Sequence, residues 1–517
     1  MSRLKGKRAL ISVYDKTGVA GFAKALTALG IEIISTGGTA DLLKKEGVPV
    51  YEVSEITKFP EMLNGRVKTL HPSVHAGLLA IRDNPKHMET LAAHNIKPID
   101  FLVVNLYPFW DAVRQKTAEA EIIEMIDIGG PAMLRSAAKN FKSVAVVSDP
   151  ADYPHVAEEL KNQGQLGPET LRRLAAKVFK HTSHYDSLIY GYFNGSKGTA
   201  AGESFPQNLA LEFEKDAMLR YGENPHQKGA LYRQVGDSKG IVNAKKLQGK
   251  ELSFNNYLDL DAAWSMILDF KEPACAIVKH MNPCGFAVGK DPLAAFKAAL
   301  DCDPLSAFGG IIAFNGGVDA KTAQAILDSG FVECVIAESF KKDALKLFLQ
   351  KKNLRILSLK PDRSDYRYDF KKISGGLLLQ DHDLKDPAEQ DLKCVTKKKP
   401  TKAQIQDLLF AFRVCRYPRS NTIVIAKDGK TVGLGMGQPS RVDSCHTAFR
   451  KAGKRAKGAV LASDGFFPKP DSIALAKKSG IASIIKPGGS VQDQIVIEAA
   501  NKAGISMVFT EVRHFKH

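Results

Sequence analysis

The first predicted strand–helix–strand unit spans residues 9–39, with the sequence ALISVYDKTGVAGFAKALTALGIEIISTGGT. The short apolar run Ala9–Val13 predicts a buried strand, and the spacing of apolar residues over Val19–Leu29 predicts a helix after it. Ile31–Ile34 predicts a second strand, from which Thr36–Thr39 leads into another helix. This alternation predicts a mostly parallel sheet.

Further apolar runs extend the alternation along the chain. Strands are predicted at Phe101–Leu106, Ser143–Val147, Ala274–Val278, Gly310–Ala313, Val332–Ala337 and Leu354–Leu357. Another α/β run covers roughly residues 404–512, where Asp428-Gly429 predicts a hairpin turn. Two consecutive α/β runs are compatible with an internal duplication, although the sequence contains no clear residue-level repeat.

The length of 517 residues and the 44% apolar content favour two or more domains, each with its own core. Gly, Ser and Ala cluster between Asn194 and Gln207, together with Pro206, which predicts a linker. We therefore expect an N-terminal domain over 1–195, with its core at about 1–150, and a second domain over 196–517.

The net charge of +17 fits phosphate-bearing ligands, but it is equally compatible with a basic soluble surface. No nucleic-acid-reading motif accompanies that charge, and basic residues are spread along the chain. The seven cysteines all lie at or after Cys275 without Cys-x-x-Cys spacing, which predicts reduced thiols and a cytoplasmic protein. No leader or membrane span is predicted, so we expect no membrane partner.

A glycine loop, Thr36-Gly37-Gly38-Thr39, lies between a predicted strand and helix. Glycines let the backbone approach a phosphate, and amides at a helix N-terminus favour an anion. A plain tight turn is the alternative interpretation. Lys16 follows the preceding strand and would reach the same sheet edge. Arg66, Lys68 and Thr69 would add further contacts to an anion.

Three more blocks carry proton-transfer candidates: Asn105–Phe109, Asp127–Pro131 and Ala137–Asn140. Taken singly, Tyr107 and Lys139 are more typical of structural or surface residues. Together with Lys68 and Asp127 they form a set suited to moving protons during a dehydration.

A second candidate site begins at Lys279-His280, directly after a predicted strand. A structural histidine is the alternative interpretation of an isolated His. The surrounding blocks favour a site: a predicted rigid turn at Asn282–Gly285, a small-residue loop at Ser306–Gly310, and cations on predicted loops at Arg220–His226 and Gly435–Arg441.

Two other enzyme classes lack their required residues. A zinc deaminase needs a Glu where Asn282 stands and a second Cys three residues after Cys284. A dinucleotide-dependent dehydrogenase needs G-x-G-x-x-G after the first strand, and that pattern is missing.

Longer motifs carry a resemblance that covers essentially the whole chain. Ser12–Gly18, TGGT, GRVKTLHP, NLYPF, DIGGP and AAKN occur in the order found in IMP cyclohydrolase. LRYGENPHQ, LQGKELSFNN, VKHMNPCG, DPLSAFGGI, SNTIVIA, GQPSRVDS, ASDGFFP and KPGGS resemble the AICAR formyltransferase half of the same enzymes. The sequence is therefore similar to the bifunctional AICAR formyltransferase/IMP cyclohydrolase family.

That resemblance implies a fold, a reaction and an assembly. It implies an α/β protein, with a methylglyoxal-synthase-like parallel-sheet cyclohydrolase domain and a formyltransferase region of two cytidine-deaminase-like α/β units. The implied reactions are formyl transfer from 10-formyltetrahydrofolate, the cosubstrate, to AICAR, and dehydrative ring closure to IMP. The resemblance implies no catalytic metal and a homodimer that shares the formyltransferase site.

For ring closure, the resemblance implies Lys139 as proton donor and acceptor, supported by Lys68, Tyr107 and Asp127. The implied nucleotide contacts are Ser12, Tyr14, Asp15, Lys16, Thr36, Gly37, Gly38, Thr39, Arg66, Val67, Thr69, Val104, Asn105, Ile128 and Gly129.

For formyl transfer, the resemblance implies His280 as proton acceptor, Lys279 as the group that stabilises charge or protonates the leaving nitrogen, and Asn421 as a contact to the formyl oxygen. The implied nucleotide contacts are Arg220, Tyr221, Gly309, Glu333 and Arg441. The implied folate contacts are Phe308, Val442, Phe466, Ser490, Val491 and Arg513. Departures from the family pattern at Tyr14, Arg416–Arg419, Gly465 and Thr510–Val512 remove none of the proposed catalytic groups.

Overall fold

The computed structural model describes residues 4–115, 117–197, 205, 208–236, 239–362 and 368–517. The chain divides into two compact units, Met1–Glu212 and Phe213–His517. Among the described residues, every helix is too short or too polar to cross a bilayer.

Unit 1 contains a five-stranded sheet in the order β3-β2-β1-β4-β5, and every strand pair in it is parallel. The strands are β1 (Arg8–Ser12), β2 (Glu32–Ser35), β3 (Val50–Glu52), β4 (Phe101–Val104) and β5 (Ala145–Val147). The helices are α1 (Val19–Ala28), α2 (Gly37–Lys45), α3 (Val53–Thr57), α4 (Pro72–Leu79), α5 (Pro85–Ala93), α6 (Phe109–Arg114), α7 (Glu119–Glu124), α8 (Gly129–Lys139), α9 (Tyr153–Gln163) and α10 (Pro168–Lys197). The predicted parallel sheet is confirmed.

The predicted linker starts too early. Residues 194–197 continue α10, while 198–204, 206 and 207 lie outside the described residues. Leu188, Ile189 and Tyr192 pack against the unit 1 core, so the amphipathic pattern of α10 continues past Gly191 to within two residues of the predicted linker.

Unit 2 is built on a mixed twelve-stranded sheet, in the order β16-β21-β20-β19-β17-β18-β10-β9-β11-β12-β13-β8. Its strands are β8 (Lys245–Gln248), β9 (Ala274–Lys279), β10 (Asn282–Val288), β11 (Ile311–Val318), β12 (Cys334–Phe340), β13 (Arg355–Ser358), β16 (Lys393–Cys394), β17 (Ile423–Lys427), β18 (Lys430–Gly435), β19 (Val460–Ser463), β20 (Ser483–Lys486) and β21 (Ser506–Phe509). Two separate hairpins are formed by β6 (Phe213–Leu219) with β7 (Gly229–Gln234), and by β14 (Tyr368–Ile373) with β15 (Gly376–Asp381).

The helices of unit 2 are α11 (Phe254–Ile267), α12 (Pro292–Leu300), α13 (Pro304–Ala307), α14 (Ala320–Asp328), α15 (Lys342–Phe348), α16 (Lys402–Cys415), α17 (Arg441–Ala452), α18 (Asp471–Lys478) and α19 (Asp493–Ala503). The core strands are almost fully buried, as expected for a sheet that is covered by helices on both faces.

The large sheet consists of two topologically equivalent halves. Each half has an outer antiparallel strand (β8 or β16), a 14-residue helix (α11 or α16), a hairpin (β9–β10 or β17–β18) and three parallel strands. The halves meet where β10 pairs antiparallel with β18. The α/β runs noted in the sequence are therefore two copies of one arrangement that share a single sheet.

Candidate active sites

A cavity of about 700 Å³ lies at the carboxyl ends of β1, β2 and β4 in unit 1. Side chains that follow parallel strands meet at one edge of the sheet, where α/β proteins collect ligands. The predicted residues that line the cavity are Ser12, Tyr14, Lys16, Thr36, Gly38, Thr39, Arg66, Lys68, Thr69, Val104, Asn105, Tyr107, Asp127, Ile128 and Gly129. Most of the predicted nucleotide contacts are therefore brought together.

One part of this cavity has the features of an anion site. Lys16 Nζ donates to Thr39 Oγ1 at 2.7 Å, and Ser12 Oγ lies 3.0 Å from Thr36 Oγ1. Burial, and then the nearby charge of Lys68, lower the pKa of Lys16. The N-terminus of α2 adds unpaired amides and the positive end of a helix dipole to these cations and hydroxyls. The arrangement suits a phosphate group.

Asn105 is positioned to hold the loop after β1. Its Oδ1 accepts hydrogen bonds from the amides of Tyr14 at 2.6 Å and Asp15 at 2.9 Å, and its Nδ2 donates to the Asp15 carbonyl at 3.0 Å. The Tyr14 ring meets the Tyr107 ring edge-on, with 5.5 Å between the centroids. The aromatic side chain at Tyr14, a departure from the family pattern, thus stands beside a predicted catalytic phenol.

Asp127 and Tyr107 lie in the same cavity as Lys68. Asp127 Oδ1 accepts from the Gly130 amide at 2.8 Å, at the start of α8. Burial raises the pKa of Asp127, although that hydrogen bond and Lys68 act in the opposite direction. Burial, followed by the charges of Asp127 and Glu61, raises the pKa of Tyr107. The site therefore pairs a protonated phenol with a carboxyl group of raised proton affinity.

Several contributors to this site have no sequence signal of their own. Tyr185 accepts from the Asp127 amide at 2.8 Å and donates to the Met125 carbonyl at 2.7 Å, which fixes the segment that carries the carboxyl group. Glu61 and Glu124 line the cavity, and Glu124 pairs with Arg66 on its exposed rim. Tyr185, Glu61 and Glu124 belong to none of the sequence motifs, and only the tertiary structure brings them to the cavity.

Four predicted residues do not line this cavity: Asp15, Gly37, Val67 and Lys139. Gly37 adjoins it, since Lys68 Nζ lies 3.5 Å from the point where a Gly37 Cβ would stand. Lys139 is exposed and is the last residue of α8, whose first residue lines the cavity. With a helical rise of 1.5 Å per residue, Lys139 lies about 15 Å along the axis from that end.

A second cavity, of about 430 Å³, lies in unit 2 at the end of β9. Its lining includes Lys279, His280, Cys284, Ser306 and Lys451. Lys279 Nζ donates to the Phe308 carbonyl at 2.8 Å, which directs the ammonium group toward the loop before β11. Burial raises the pKa of Cys284 to about 12, so its thiol stays protonated. Lys451 is paired with Asp303, so Lys279 and the His280 imidazole are the groups suited to proton transfer at this cavity.

The predicted rigid turn at Asn282–Gly285 is wrong, because these residues begin strand β10. The turn lies one step earlier, at His280 and Met281, with φ of 54° and 61°. Cys284 is buried, and a Cβ on Gly285 would stand 1.9 Å from the Ala299 carbonyl oxygen. Close packing against α12 and a bulge between residues 283 and 285 accommodate Pro and Gly within the strand.

The other predicted formyltransferase residues follow the same edge of the large sheet. Phe308 and Gly309 precede β11, Glu333 precedes β12, Asn421 precedes β17, Arg441 and Val442 follow β18, Phe466 follows β19, Ser490 and Val491 follow β20, and Arg513 follows β21. The edge is shared because β11 is antiparallel to β9, and β19 is antiparallel to β17. Between β9 and β17 lie β10 and β18, so His280 and Asn421 are about 14 Å apart along the edge.

Arg441 organises a buried cluster at this edge. Its guanidinium donates to Ser463 Oγ at 2.8 Å and to Asn421 Oδ1 at 2.6 Å, and it pairs with Asp464. Asn421 Nδ2 donates to the carbonyls of Gln438 and Pro439, at 2.9 and 3.0 Å. Both polar atoms of the Asn421 side chain are therefore engaged within the protein.

Gly465, another departure from the family pattern, lies against this cluster. A Cβ at this position would stand 2.5 Å from the Phe515 ring and 2.6 Å from Arg441 Nη2. The glycine lets that ring and the guanidinium approach, and their centres lie 5.7 Å apart. At the Arg416–Arg419 departure, Arg416 is buried and forms ion pairs with Asp269 and Asp386.

Arg220 and Tyr221 lie on the loop between β6 and β7, with the guanidinium 5.5 Å from the Tyr221 ring centroid. Asn255 Nδ2 donates to the Glu223 carbonyl at 3.2 Å, which ties this loop to α11. One turn further along α11, Asp259 accepts from the His280 and Met281 amides. Residues four apart share a helix face, so α11 connects the Arg220 loop with the His280 turn.

Comparison with known proteins decides the family. The model of the AICARFT/IMPCHase bienzyme matches residues 137–451, which is more than half of the chain, and the model of the MGS-like domain matches residues 18–132. The chain belongs to the AICARFT/IMPCHase bienzyme family. The second match agrees with the predicted fold of the N-terminal region, and the parallel sheet of unit 1 has that architecture.

Relatives of this bienzyme match it from end to end. The bifunctional purine biosynthesis protein PurH of Thermoanaerobacter sp. (strain X514) is 51% identical over 99% of this chain and 100% of its own length. The PurH proteins of Persephonella marina and Listeria monocytogenes serotype 4b are each 50% identical, with the same coverage. The predicted family, and the prediction of a bifunctional enzyme, are confirmed.

Proposed function

We propose that the chain performs two consecutive steps of purine biosynthesis. The unit 2 site transfers a formyl group from 10-formyltetrahydrofolate to AICAR, and the unit 1 site closes the formylated product to IMP with loss of water. The observation that carries the proposal is that each unit has its own cavity with its own proton-transfer groups. These are Lys68, Tyr107 and Asp127 in one, and Lys279 and His280 in the other.

In the unit 1 cavity, the nucleotide phosphate occupies the anion site formed by Lys16, Thr39 and the start of α2. The carboxamide nitrogen attacks the formyl carbon, and Asp127, as the carboxylate, accepts the proton from that nitrogen. Lys68 stabilises the charge that develops on the formyl oxygen, and the protonated Tyr107 supplies a proton to it. Asp127 then returns its proton to the resulting hydroxyl, which leaves as water. The remaining proton on the attacking nitrogen passes to the Tyr107 phenolate as the C=N bond forms. Burial supports both assignments, because it raises the proton affinity of the carboxylate and keeps the phenol protonated.

In the unit 2 cavity, the amine of AICAR attacks the formyl carbon, and His280 accepts the proton. Lys279 stabilises the developing charge or protonates the departing folate nitrogen. The amine is a poor nucleophile because its lone pair is delocalised, so holding both reactants in line contributes as much as the base. Exposed Phe308, Phe466 and Val491 lie along the same edge and suit the apolar folate.

Two of the predicted roles rest on family resemblance alone. Lys139 lies outside the cavity of its own chain, and Asn421 has both polar side-chain atoms engaged. Lys139→Ala tests the first role: loss of ring closure with intact formyl transfer would support it, and closure well above the spontaneous rate would contradict it. For Asn421, the proposed contact to the formyl oxygen requires its Nδ2 to leave the Gln438 or Pro439 carbonyl when substrate binds, because only the amide nitrogen can donate to that oxygen.

We also propose a cytoplasmic homodimer whose second copy completes the formyltransferase site. The separation of about 14 Å between the His280 turn and the Asn421–Arg441 cluster supports it, because one small substrate does not span both groups. We propose no nucleic-acid or membrane partner and no catalytic metal.

The test is incubation of purified protein with AICAR and 10-formyltetrahydrofolate, with tetrahydrofolate and IMP followed separately. His280→Ala should lower tetrahydrofolate release by about 10²- to 10⁴-fold, the range expected for loss of a general base. IMP formation from supplied formyl-AICAR should be unchanged. Retained formyl transfer would remove His280 from its role.

A further inference from the structure

The two halves of unit 2 hold their central hairpins in the same way. In the first half, Asp259 on α11 accepts from the His280 amide at 3.2 Å and the Met281 amide at 2.6 Å. In the second half, Asp407 on α16 accepts from the Asp428 amide at 3.0 Å and the Gly429 amide at 2.9 Å. Each carboxylate lies 21 residues before the first residue of its turn.

The surroundings of the two turns are also equivalent. Both helices have 14 residues and begin with a capping box, at Ser253 and at Thr401. The lysine before each turn donates to a loop carbonyl: Lys279 to Phe308 at 2.8 Å, and Lys427 to Lys457 at 3.4 Å. The carboxylate clamp, in which one aspartate accepts hydrogen bonds from both amides of the turn, is therefore common to both halves.

The turns differ in the residues that adopt the left-handed backbone. A two-residue hairpin turn of this kind needs positive φ at both positions, which Asp-Gly accepts readily. Asp428-Gly429 fits that rule, with φ of 52° and 70°. His280-Met281 has two side chains that disfavour this conformation, with φ of 54° and 61°. The first turn therefore depends on its clamp more than the second, and it is the turn next to the cavity.

We propose that Asp259 is a positioning residue for formyl transfer: by fixing both amides of the His280–Met281 turn, it sets the direction in which the imidazole enters the cavity. The carboxylate acts through the backbone and does not touch substrate. Asn255, on the same face of α11, holds the Arg220–Glu223 loop in a fixed position relative to the same turn. Helix α11 thereby sets the distance between the imidazole and a loop that carries a cation.

This inference rests on the proposed role of His280, and Asp407 provides the matched control. Asp259→Ala and Asp407→Ala each remove two carboxylate–amide hydrogen bonds from equivalent hairpins. Formyl transfer, cyclisation of supplied formyl-AICAR and thermal unfolding are measured for both variants and for His280→Ala.

Asp259→Ala should lower kcat for formyl transfer about 100-fold with little change in the KM for AICAR, since a misplacement of 1 Å is enough for such a loss. Asp407→Ala should leave kcat within about threefold of the unmodified protein, although it also loses two hydrogen bonds and its melting temperature falls. Cyclisation should be unchanged in both variants.

A rescue experiment separates positioning from folding. Met281→Gly gives the first turn the glycine that stands at residue 429, so Asp259→Ala/Met281→Gly should recover at least tenfold in kcat. The inference is overturned if Asp259→Ala transfers formyl groups normally, if Asp407→Ala loses as much activity, or if glycine restores stability without kcat. Normal transfer by His280→Ala would instead overturn the proposed function.

Discussion

Replacement of Asp127 by Asn tests the electrostatics of the unit 1 cavity. Asn keeps an oxygen that can accept the 2.8 Å hydrogen bond from the Gly130 amide, so α8 retains its N-terminal contact. The substitution removes the one property on which the proposed chemistry depends, which is the ability of the carboxylate to accept a proton. Ring closure of supplied formyl-AICAR should fall by about 10²- to 10⁴-fold, or roughly 2.7–5.5 kcal/mol of activation free energy. Formyl transfer should be unaffected.

The same variant should not lose stability at neutral pH. Burial raises the pKa of Asp127 in the folded protein, so its contribution to stability is present below the unfolded-state pKa and is lost as pH rises through the folded-state pKa. Each unit by which folding raises the pKa of Asp127 costs about 1.4 kcal/mol of stability at a pH above that pKa. The neutral Asn side chain avoids this cost. At pH 7 the free energy of unfolding of Asp127→Asn should therefore equal or exceed that of the unmodified protein, with a smaller difference near pH 4.

The assay separates IMP from formyl-AICAR by chromatography, and denaturant unfolding is followed at both pH values. Ring closure within threefold of the unmodified rate would refute the catalytic assignment. A loss of stability confined to pH 7 would refute the electrostatic argument.

Three further predictions concern packing, charge and thiol reactivity. Gly285→Ala should cost about 1–3 kcal/mol of stability because its Cβ would stand 1.9 Å from a helical carbonyl oxygen; Gly21→Ala, with nothing within 4 Å, should gain up to about 1 kcal/mol, and equal melting temperatures would contradict this. Burial and Lys68 lower the pKa of Lys16, so the KM for formyl-AICAR should rise as pH increases through that pKa; a rise that persists unchanged in Lys16→Arg would exclude Lys16 as its source. A thiol reagent should label Cys394 rapidly in the native protein, and a second fast thiol would contradict the burial of the other six.

Motifs on strand ends allowed most of the unit 1 cavity to be predicted. The carboxyl ends of parallel strands must meet, so the loops after β1, β2 and β4 were expected at one place, and the cavity lies there. Tyr185 and Glu61 were missed because their contacts depend on tertiary packing of segments without a pattern. Lys139 shows a second limit of sequence-based prediction, because a motif in the expected order does not reveal which end of a helix faces a cavity.

The hairpins of unit 2 show where local signals end. Asp428-Gly429 was predicted because Gly favours positive φ, whereas the equivalent turn at His280-Met281 carries no such signal. The Pro and Gly of Asn282–Gly285 suggested a turn, but burial and contact with α12 hold them in a strand. Likewise, the internal duplication is visible in the strand pairing and in the two carboxylate clamps but not in the sequence, because few equivalent positions of the two halves carry the same residue.

The central claim is that two separate cavities carry out successive reactions, and mixing two variants tests it most directly. Lys68→Met should release tetrahydrofolate and accumulate formyl-AICAR, while His280→Ala should make IMP only from supplied formyl-AICAR. Neither variant alone should convert AICAR to IMP above the spontaneous rate, and a mixture of the two should do so. If either substitution abolishes both reactions, or if the mixture stays inactive while each partial reaction is intact, the account of two independent sites is contradicted.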